Sequence, residues 1–500
     1  MSPHSETPPA AGRGRSQKNE SDTHKNTARQ LEKIRARVRA RTDEAQTATP
    51  TPHDWQDHGL SRQQRIAARY ATHTAGRITY VIGSGWHHWD GTRWAPDPRE
   101  VHAYQALREV LEASWAEAMS DRDLRTDVTS AMTANGSAGV LALASRDKRI
   151  AVTETDVDPY LLNCANGTLD LRTHELKPHD PADRITKITR AAYHPDAAGP
   201  TWEHFLETSL PDTESRDYLQ QYLGLSLIGR TIEHLLLIAT GTGRNGKGVF
   251  ANTMSHALAD YATTAPSDML VASRHGDKKS AGELSGLMRL RGARFVSMSE
   301  LNRGVKMDES VMKRLTGGDP ITAKHMGQDY VEFNPSHSLF MLTNDLPTIP
   351  ADAAAAWARI RVVPFTVSFA GREDTTLEER LQTEIDAALA WAIRGLLAYQ
   401  TAGKLRTPAS VLARTEEYHG ENDPLARFIE ERCIRNPAAS ITRAALLDAY
   451  NTWAKENREP QFGSRVMTPQ VRALDGVTES SGRGRGWQGI GLAADVHDDG

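Results

Sequence analysis

The run Gly241-Thr242-Gly243-Arg244-Asn245-Gly246-Lys247-Gly248 constrains this chain more than any other stretch. An apolar segment, Leu235 to Ala239, leads into it, and a helix-patterned segment, Val249 to Tyr261, follows. Strand, glycine-rich loop and helix in that order make a phosphate cradle. The glycines let the backbone curl until its N–H groups converge. The helix N-terminus adds partial positive charge, and Lys247 adds a full one. Gly241 to Val249 are therefore expected to hold the phosphates of a nucleoside triphosphate. At position 248, where the motif places Ser or Thr, stands Gly, so the hydroxyl that contacts Mg²⁺ is missing.

A chain of 500 residues suggests about three domains. Its 25% charged and 39% hydrophobic residues are an ordinary soluble composition. No apolar run reaches the roughly 18 residues of a spanning segment. The N-terminus lacks the apolar core of a secretory signal. Cys164 and Cys433 are the only cysteines, which excludes a disulfide framework and a cysteine-based zinc site. A cytoplasmic protein without membrane contact is expected. With a net charge of −4, nucleic-acid binding would rest on local basic patches.

Residues 1–58 are polar and rich in Ser, Thr, Pro and Gly, and are expected to be a disordered basic tail. Arg29 to Arg41 within it reads as a solvated stretch, with a DNA-touching arm as the alternative. Residues 59–200 carry two hairpin signals and a helical section. Asp90-Gly91 lies between Trp86, Trp89 and Trp94, and Asn166-Gly167 lies between two apolar runs. The tryptophans read as the core of a small sheet. His87 and His88 have no third ligand nearby and read as non-metal residues. Residues 201–370 become an α/β layer with alternating strand and helix patterns. Residues 371–421 are a helical extension. In residues 422–500, three short helical patterns precede Gly482-Arg483-Gly484-Arg485-Gly486. Thr468-Pro469 is expected to cap and open the last helix. This order looks like a winged helix-turn-helix, with Arg483 and Arg485 in a DNA-binding wing.

The second half of the phosphate site lies downstream. Arg294 to Ser299 is a strand pattern ending in Glu300, which suits a carboxylate that orients the attacking water or holds Mg²⁺ through one. Ser338 to Thr343 ends in Asn344, which can bond a γ-phosphate or that water. Arg359 and Arg361 enter a third strand and could neutralise charge on a transferred phosphoryl group.

The series of glycine-rich loop, strand-end Glu300, Lys313-Arg-Leu-Thr-Gly-Gly-Asp319, Thr343-Asn344 and Trp357-Ala-Arg-Ile-Arg-Val-Val-Pro-Phe365 resembles the superfamily 3 helicases. More narrowly, it is similar to the helicase part of phage- and plasmid-associated primases, the poxvirus-type primase-helicases included, without the primase domain. Cys164 to Leu171, Trp89 to Trp94 and Asp423 to Phe428 resemble that family's flanks, so the likeness runs from about residue 60 to 490. The resemblance implies an α/β, AAA+-like P-loop core, a helical and β N-terminal region and a C-terminal winged-helix-like domain. It implies a ring, as a hexamer, that uses ATP and Mg²⁺ to unwind DNA during replication of a phage, plasmid or integrated element. Lys247 would bind phosphate, Glu300 would be the catalytic acid and metal contact, and Asn344 the γ-phosphate sensor. Arg359, or next Arg361, would be the finger reaching a neighbour's ATP. Lys324 and His325 would grip single-stranded or forked DNA in the channel.

The chain departs from that pattern at Gly248, at Ser299 and Asn302 where a second acid often flanks the Glu, and at Ala358 where an arginine is common. The residues ahead of the first hairpin are too few and too polar for a primase, so a host or element primase and other replication proteins are expected as partners. The competing readings are a DNA-binding ATP switch or origin-assembly factor with little unwinding, and a packaging-type ATPase.

Overall fold

The computed structural model describes residues 55, 57–271, 286–299, 305–324, 330–480 and 485–493. The expectations for residues 1–54, Glu300, His325 and Arg483 lie outside the described residues. The molecule is mixed α/β with a parallel sheet at its centre.

The N-terminal region starts with the helix Arg62–Thr74 and the meander β1 (Ile78–Val81), β2 (Gly85–Trp89) and β3 (Trp94–Pro96). Helices Val101–Ala118, Arg122–Ala131 and Ala134–Ala144 follow, and β4 (Ala151–Val152) joins β1 in parallel. Ile66, Tyr70, Leu107, Val110, Val128 and Val140 form one core with Trp86. Trp86 and Trp94 are buried, and Trp86 meets Tyr80 edge-on at 5.2 Å, so the indoles pack as core. The second hairpin, β5 (Leu161–Cys164) with β6 (Gly167–Asp170), adds β7 (Glu175–Lys177). Its turn residues are Ala165-Asn166, one position earlier than the sequence suggests, because Gly167 already pairs with Cys164.

Helices Pro200–Ser209 and Thr213–Ser226 precede the central sheet. Its strands are β8 (Leu236–Thr240), β9 (Ala262–Ala265), β10 (Phe295–Met298), β13 (Ser338–Thr343) and β14 (Ile360–Pro364). The spatial order is β14-β8-β13-β10-β9, all parallel. Numbered by occurrence, that is 5-1-4-3-2. Parallel strands are covered on both faces, which is why they read as unbroken apolar runs. Leu237, Ala239, Phe295, Phe340 and Val363 enter one core, with Phe250, Trp202 and Trp391. Leu236, Ile238, Val296, Met341 and Val362 enter the other, with Met312, Leu315 and Tyr418. Arg294 is fully buried at the head of β10. It donates from Nη2 to the Leu161 carbonyl at 2.5 Å and from Nη1 to that of Leu227, fastening the N-terminal hairpin to the sheet.

The hairpin β11 (Ile321–Ala323) and β12 (Val331–Phe333) stands between the helix Glu309–Thr316 and β13. Helices Leu377–Gln382, Ile385–Ala402 and Ala409–Glu421 follow β14. The C-terminal region runs helix Pro424–Arg432, β15 (Cys433–Thr442), helix Arg443–Asn457, helix Ser464–Arg472, β16 (Thr478–Ser480) and β17 (Gly486–Leu492), with sheet order β15-β17-β16. Its last helix begins at Ser464, four residues before the expected cap at Thr468, and holds Pro469 inside. Met467 and Val471, four apart, bury its apolar face, and that anchoring outweighs the one backbone hydrogen bond Pro469 cannot make.

Candidate functional site

In a parallel sheet, side chains gather at the C-terminal strand ends, where the loops converge. β8 ends at Thr240 and opens into the loop Gly241–Gly246. Three glycines shape it. A Cβ on Gly241 would overlap the Asn245 amide and crowd the Phe365 carbonyl. Gly243 and Gly246 hold φ of 90° and 87°, a left-handed backbone that glycine adopts without strain. Arg244 takes φ 50° despite its side chain. It is held by its carbonyl, which accepts from Phe369 N at 2.8 Å, and by its guanidinium, 2.6 Å from Glu373 Oε1. Asn245 is buried and donates to the Phe365 carbonyl at 3.2 Å.

The helix Lys247–Leu258 starts at the end of this loop. Lys247 is buried, and its Nζ donates to Gly241 O at 3.2 Å, Asn245 Oδ1 at 3.1 Å and Asn344 Oδ1 at 2.9 Å. Asn344 follows β13, which lies directly beside β8 with Thr343 opposite Thr240. Two residues separated by 97 positions thus meet at one ammonium. Asn344 is itself exposed. Thr242 and Val249 flank this centre, and Gly248 presents open space where a side chain would project. The strand β10 that leads to Glu300 also borders β13, at Met298 opposite Met341.

The two arginines sit elsewhere. The Arg359 carbonyl accepts from Leu236 N at 2.8 Å, at the start of β8, so Arg359 lies at the opposite end of the sheet from the chain's own loop. Its guanidinium donates to Lys313 O at 3.3 Å and Thr316 Oγ1 at 3.1 Å. Arg361 donates to Thr407 Oγ1 at 3.3 Å and Ile360 O at 2.6 Å. Sequence reasoning left Arg314 without a role. Its Nε and Nη2 are buried without a hydrogen-bond partner, and burial lowers its pKa. Burying a guanidinium in that state is costly. Only the basic pair Lys313-Arg314 of the Lys-Arg-Leu-Thr series hinted at it.

Lys324 leaves β11 at the hairpin tip, its Nζ 4.6 Å from the ring of Tyr330, which is 62% exposed. Arg485 is exposed just before β17. A cavity of about 990 Å³ lies away from the loop. It lies between the meander and the base of that hairpin, lined by Arg93, Lys187, Arg230, Arg291 and Glu332. No helix among the described residues is long and apolar enough to cross a membrane.

Comparison with known proteins places these regions. Residues 63–211 match the family described as D5 N terminal like, and residues 239–359 match the family of unknown function DUF5906. The chain is 26% identical over 326 residues to "Putative helicase L207/L206" of Acanthamoeba polyphaga mimivirus, covering 60% of this chain and 34% of that one. It is 25% identical over 349 residues to "Putative helicase 022R" of frog virus 3, covering 66% and 34%. It is 24% identical over 336 residues to "Putative primase C962R" of African swine fever virus, covering 62% and 35%. The match thus spans about a third of these relatives' own length. Among solved structures, the NrS-1 C-terminal region is similar at 12% identity and a TM-score of 0.38, over 60% of this chain and 78% of that one. The chain thus carries a D5 N-terminal-like region followed by a DUF5906 region, and its relatives are named as viral helicases and primases, a combination consistent with a primase-helicase-like family.

Proposed function

We propose that the chain is an ATP-dependent DNA helicase of superfamily 3, working as a ring in the replication of a phage, plasmid or integrated element. The observation that carries this reading is the Lys247–Asn344 contact inside a glycine-rich loop at a helix N-terminus. The 5-1-4-3-2 parallel order supports an AAA+-like core, since it puts the loop strand next to the strand that carries the sensor. The helix–strand–helix–helix–strand–strand order of the C-terminal region supports a winged helix, with Arg465, Arg472 and Arg485 on its exposed side.

The loop fits a triphosphate, because its glycines leave a cradle that side chains would fill and its donors are backbone N–H groups and an ammonium. Bound MgATP would supply the phosphoryl group to be transferred to water. Lys247 would turn from Asn245 and Asn344 to phosphate oxygens, freeing the Asn344 amide to read the γ-phosphate. Glu300 would orient the attacking water. Without a hydroxyl at 248, Mg²⁺ would be held through waters, which it retains readily. Lys324 with Tyr330 at the hairpin tip offers a charge and an aromatic face to a DNA strand.

Forked-DNA unwinding and ATPase assays test this. Lys247→Ala should abolish both, with DNA binding through the C-terminal region retained. A folded, oligomeric protein that hydrolyses ATP but never separates strands would sink it. Gly248 favours a second reading, an ATP-dependent assembly switch. Multiple-turnover hydrolysis stimulated by single-stranded DNA would eliminate that one.

A further inference from the structure

We propose that His88, Asp97 and His102 form a binding site for a divalent first-row transition-metal ion, with zinc the best match. The site lies in the D5 N-terminal-like region and does not depend on the nucleotide reading.

The pleat assembles it. His88 in β2 pairs with Ala95 in β3, so the two side chains share a face, and Asp97, two residues beyond Ala95, returns to that face. The Asp97 N–H still continues the pairing, donating to Trp86 O at 2.8 Å. The chain then turns through Pro98–Glu100 into the helix Val101–Ala118, whose second residue, His102, comes back over the same face. One ligand atom from each of the three residues lies within 4.8 Å of the others, the sole such group among the described residues. The sequence hides this because the three groups lie nine and five positions apart, across two strands and a helix start.

Two further observations fit a metal. The His88 Nδ1 is buried without a hydrogen-bond partner, so a lone pair or N–H is left unsatisfied. The His88 and His102 rings stack nearly parallel with centroids 3.6 Å apart, so the exposed His102 ring would tilt to bring both lone pairs onto one ion. Asp97 is buried, and its oxygens accept from His102 N at 3.1 Å and Ala103 N at 2.9 Å. A carboxylate has about four lone-pair sites, so it can hold those bonds and a metal together. The backbone bonds orient it as an outer shell does around metal ligands.

Two imidazoles and one carboxylate with a fourth position for water suit Zn²⁺. Mg²⁺ and Ca²⁺ call for more oxygen ligands than one carboxylate provides. A metal here would staple the meander to the first turn of the helix.

The test uses the full chain, freed of any affinity tag, stripped with chelator and titrated with ZnCl₂ by calorimetry, then with Co²⁺ by visible absorption. The wild type should bind one Zn²⁺ in this region, give a four-coordinate Co²⁺ spectrum and unfold at a higher temperature with zinc. His102→Ala removes an exposed side chain and should weaken binding by more than roughly 100-fold, beyond the loss typical of an outer-shell change. Asp97→Asn keeps the helix cap, since Asn also accepts from backbone N–H, and should lose the zinc-dependent rise in midpoint. His204→Ala, on a distant helix, should behave as wild type. Zinc binding and midpoint shifts unchanged in His102→Ala and Asp97→Asn, or no binding by the wild type, would overturn the proposal.

Discussion

Gly248 sits in the first turn of the helix Lys247–Leu258, and a Cβ built there meets no atom within 4 Å. A serine would fit without rearrangement, in a backbone it tolerates better than glycine. Gly248→Ser is expected to lower the Mg²⁺ concentration for half-maximal ATPase activity several-fold, with the maximal rate changing less. Superimposable Mg²⁺ curves would mean that the hydroxyl is dispensable. A second residue sets an acid limit on the fold. His337 is buried, with Nε2 3.0 Å from the Leu315 carbonyl and Nδ1 without a partner. Burial lowers its pKa from 6.5 to about 4. The unfolded chain then binds a proton between those values and the folded chain does not. Stability from this group is complete above pH 6.5, falls as pH drops toward 4 and is flat below, a total on the order of 3 kcal/mol. Urea midpoints of wild type and His337→Phe across pH 7.5 to 4.5 should diverge in slope over that window. Parallel profiles would refute the assignment. Lys247, Asn344 and the loop glycines were legible as residue types at motif spacing. The hydrogen bond between the first two was not, because it depends on which strands become neighbours.

Among the elements, helices Thr213–Ser226 and Ile385–Ala402 cross in close contact through Gly224 and Gly395. A Cβ on Gly395 would overlap the Gln220 carbonyl, and one on Gly224 would overlap the backbone of Leu396. Helix propensity alone says Gly395→Ala should stabilise by about 1 kcal/mol. The crossing reverses the sign, and the variant should lose about 1–3 kcal/mol from overpacking. Chemical denaturation distinguishes the two, and a raised midpoint would show that the helices separate without cost. Periodicity made both helices legible, yet a glycine in a helix carries no mark of its partner. The same limit applies to the helix Ser464–Arg472. Thr468-Pro469 imitates a helix start, and only the burial of Met467 and Val471 shows that the helix had already begun.

At the scale of the molecule, the position of Arg359 matters most. It immediately precedes β14, beside the first residue of β8, roughly 16 Å of strand away from the loop that β8 feeds. Such a residue serves catalysis only at another subunit's nucleotide. If the proposed ring places it there, Lys247→Ala and Arg359→Ala should each be inactive alone. Mixing them before assembly should restore a measurable fraction of ATPase activity, since some interfaces then pair an intact loop with an intact arginine. No recovery in verified mixed oligomers would remove Arg359 from that role, leaving Arg361, and then Arg314 with its unsatisfied Nε and Nη2, as the next guanidinium groups to test. By itself, the sequence determined the local devices: the glycine-rich loop between strand and helix, the apolar runs of buried parallel strands, and the turns between paired tryptophans. These are set by backbone freedom and by the period of apolar residues, both readable over short windows. Only the tertiary structure decided the juxtapositions: Asn344 on Lys247, Arg359 far from its own loop, and His88, Asp97 and His102 on one face. Strand order and pleat bring those groups together, and both follow from burying two apolar faces at once, a condition no single segment contains.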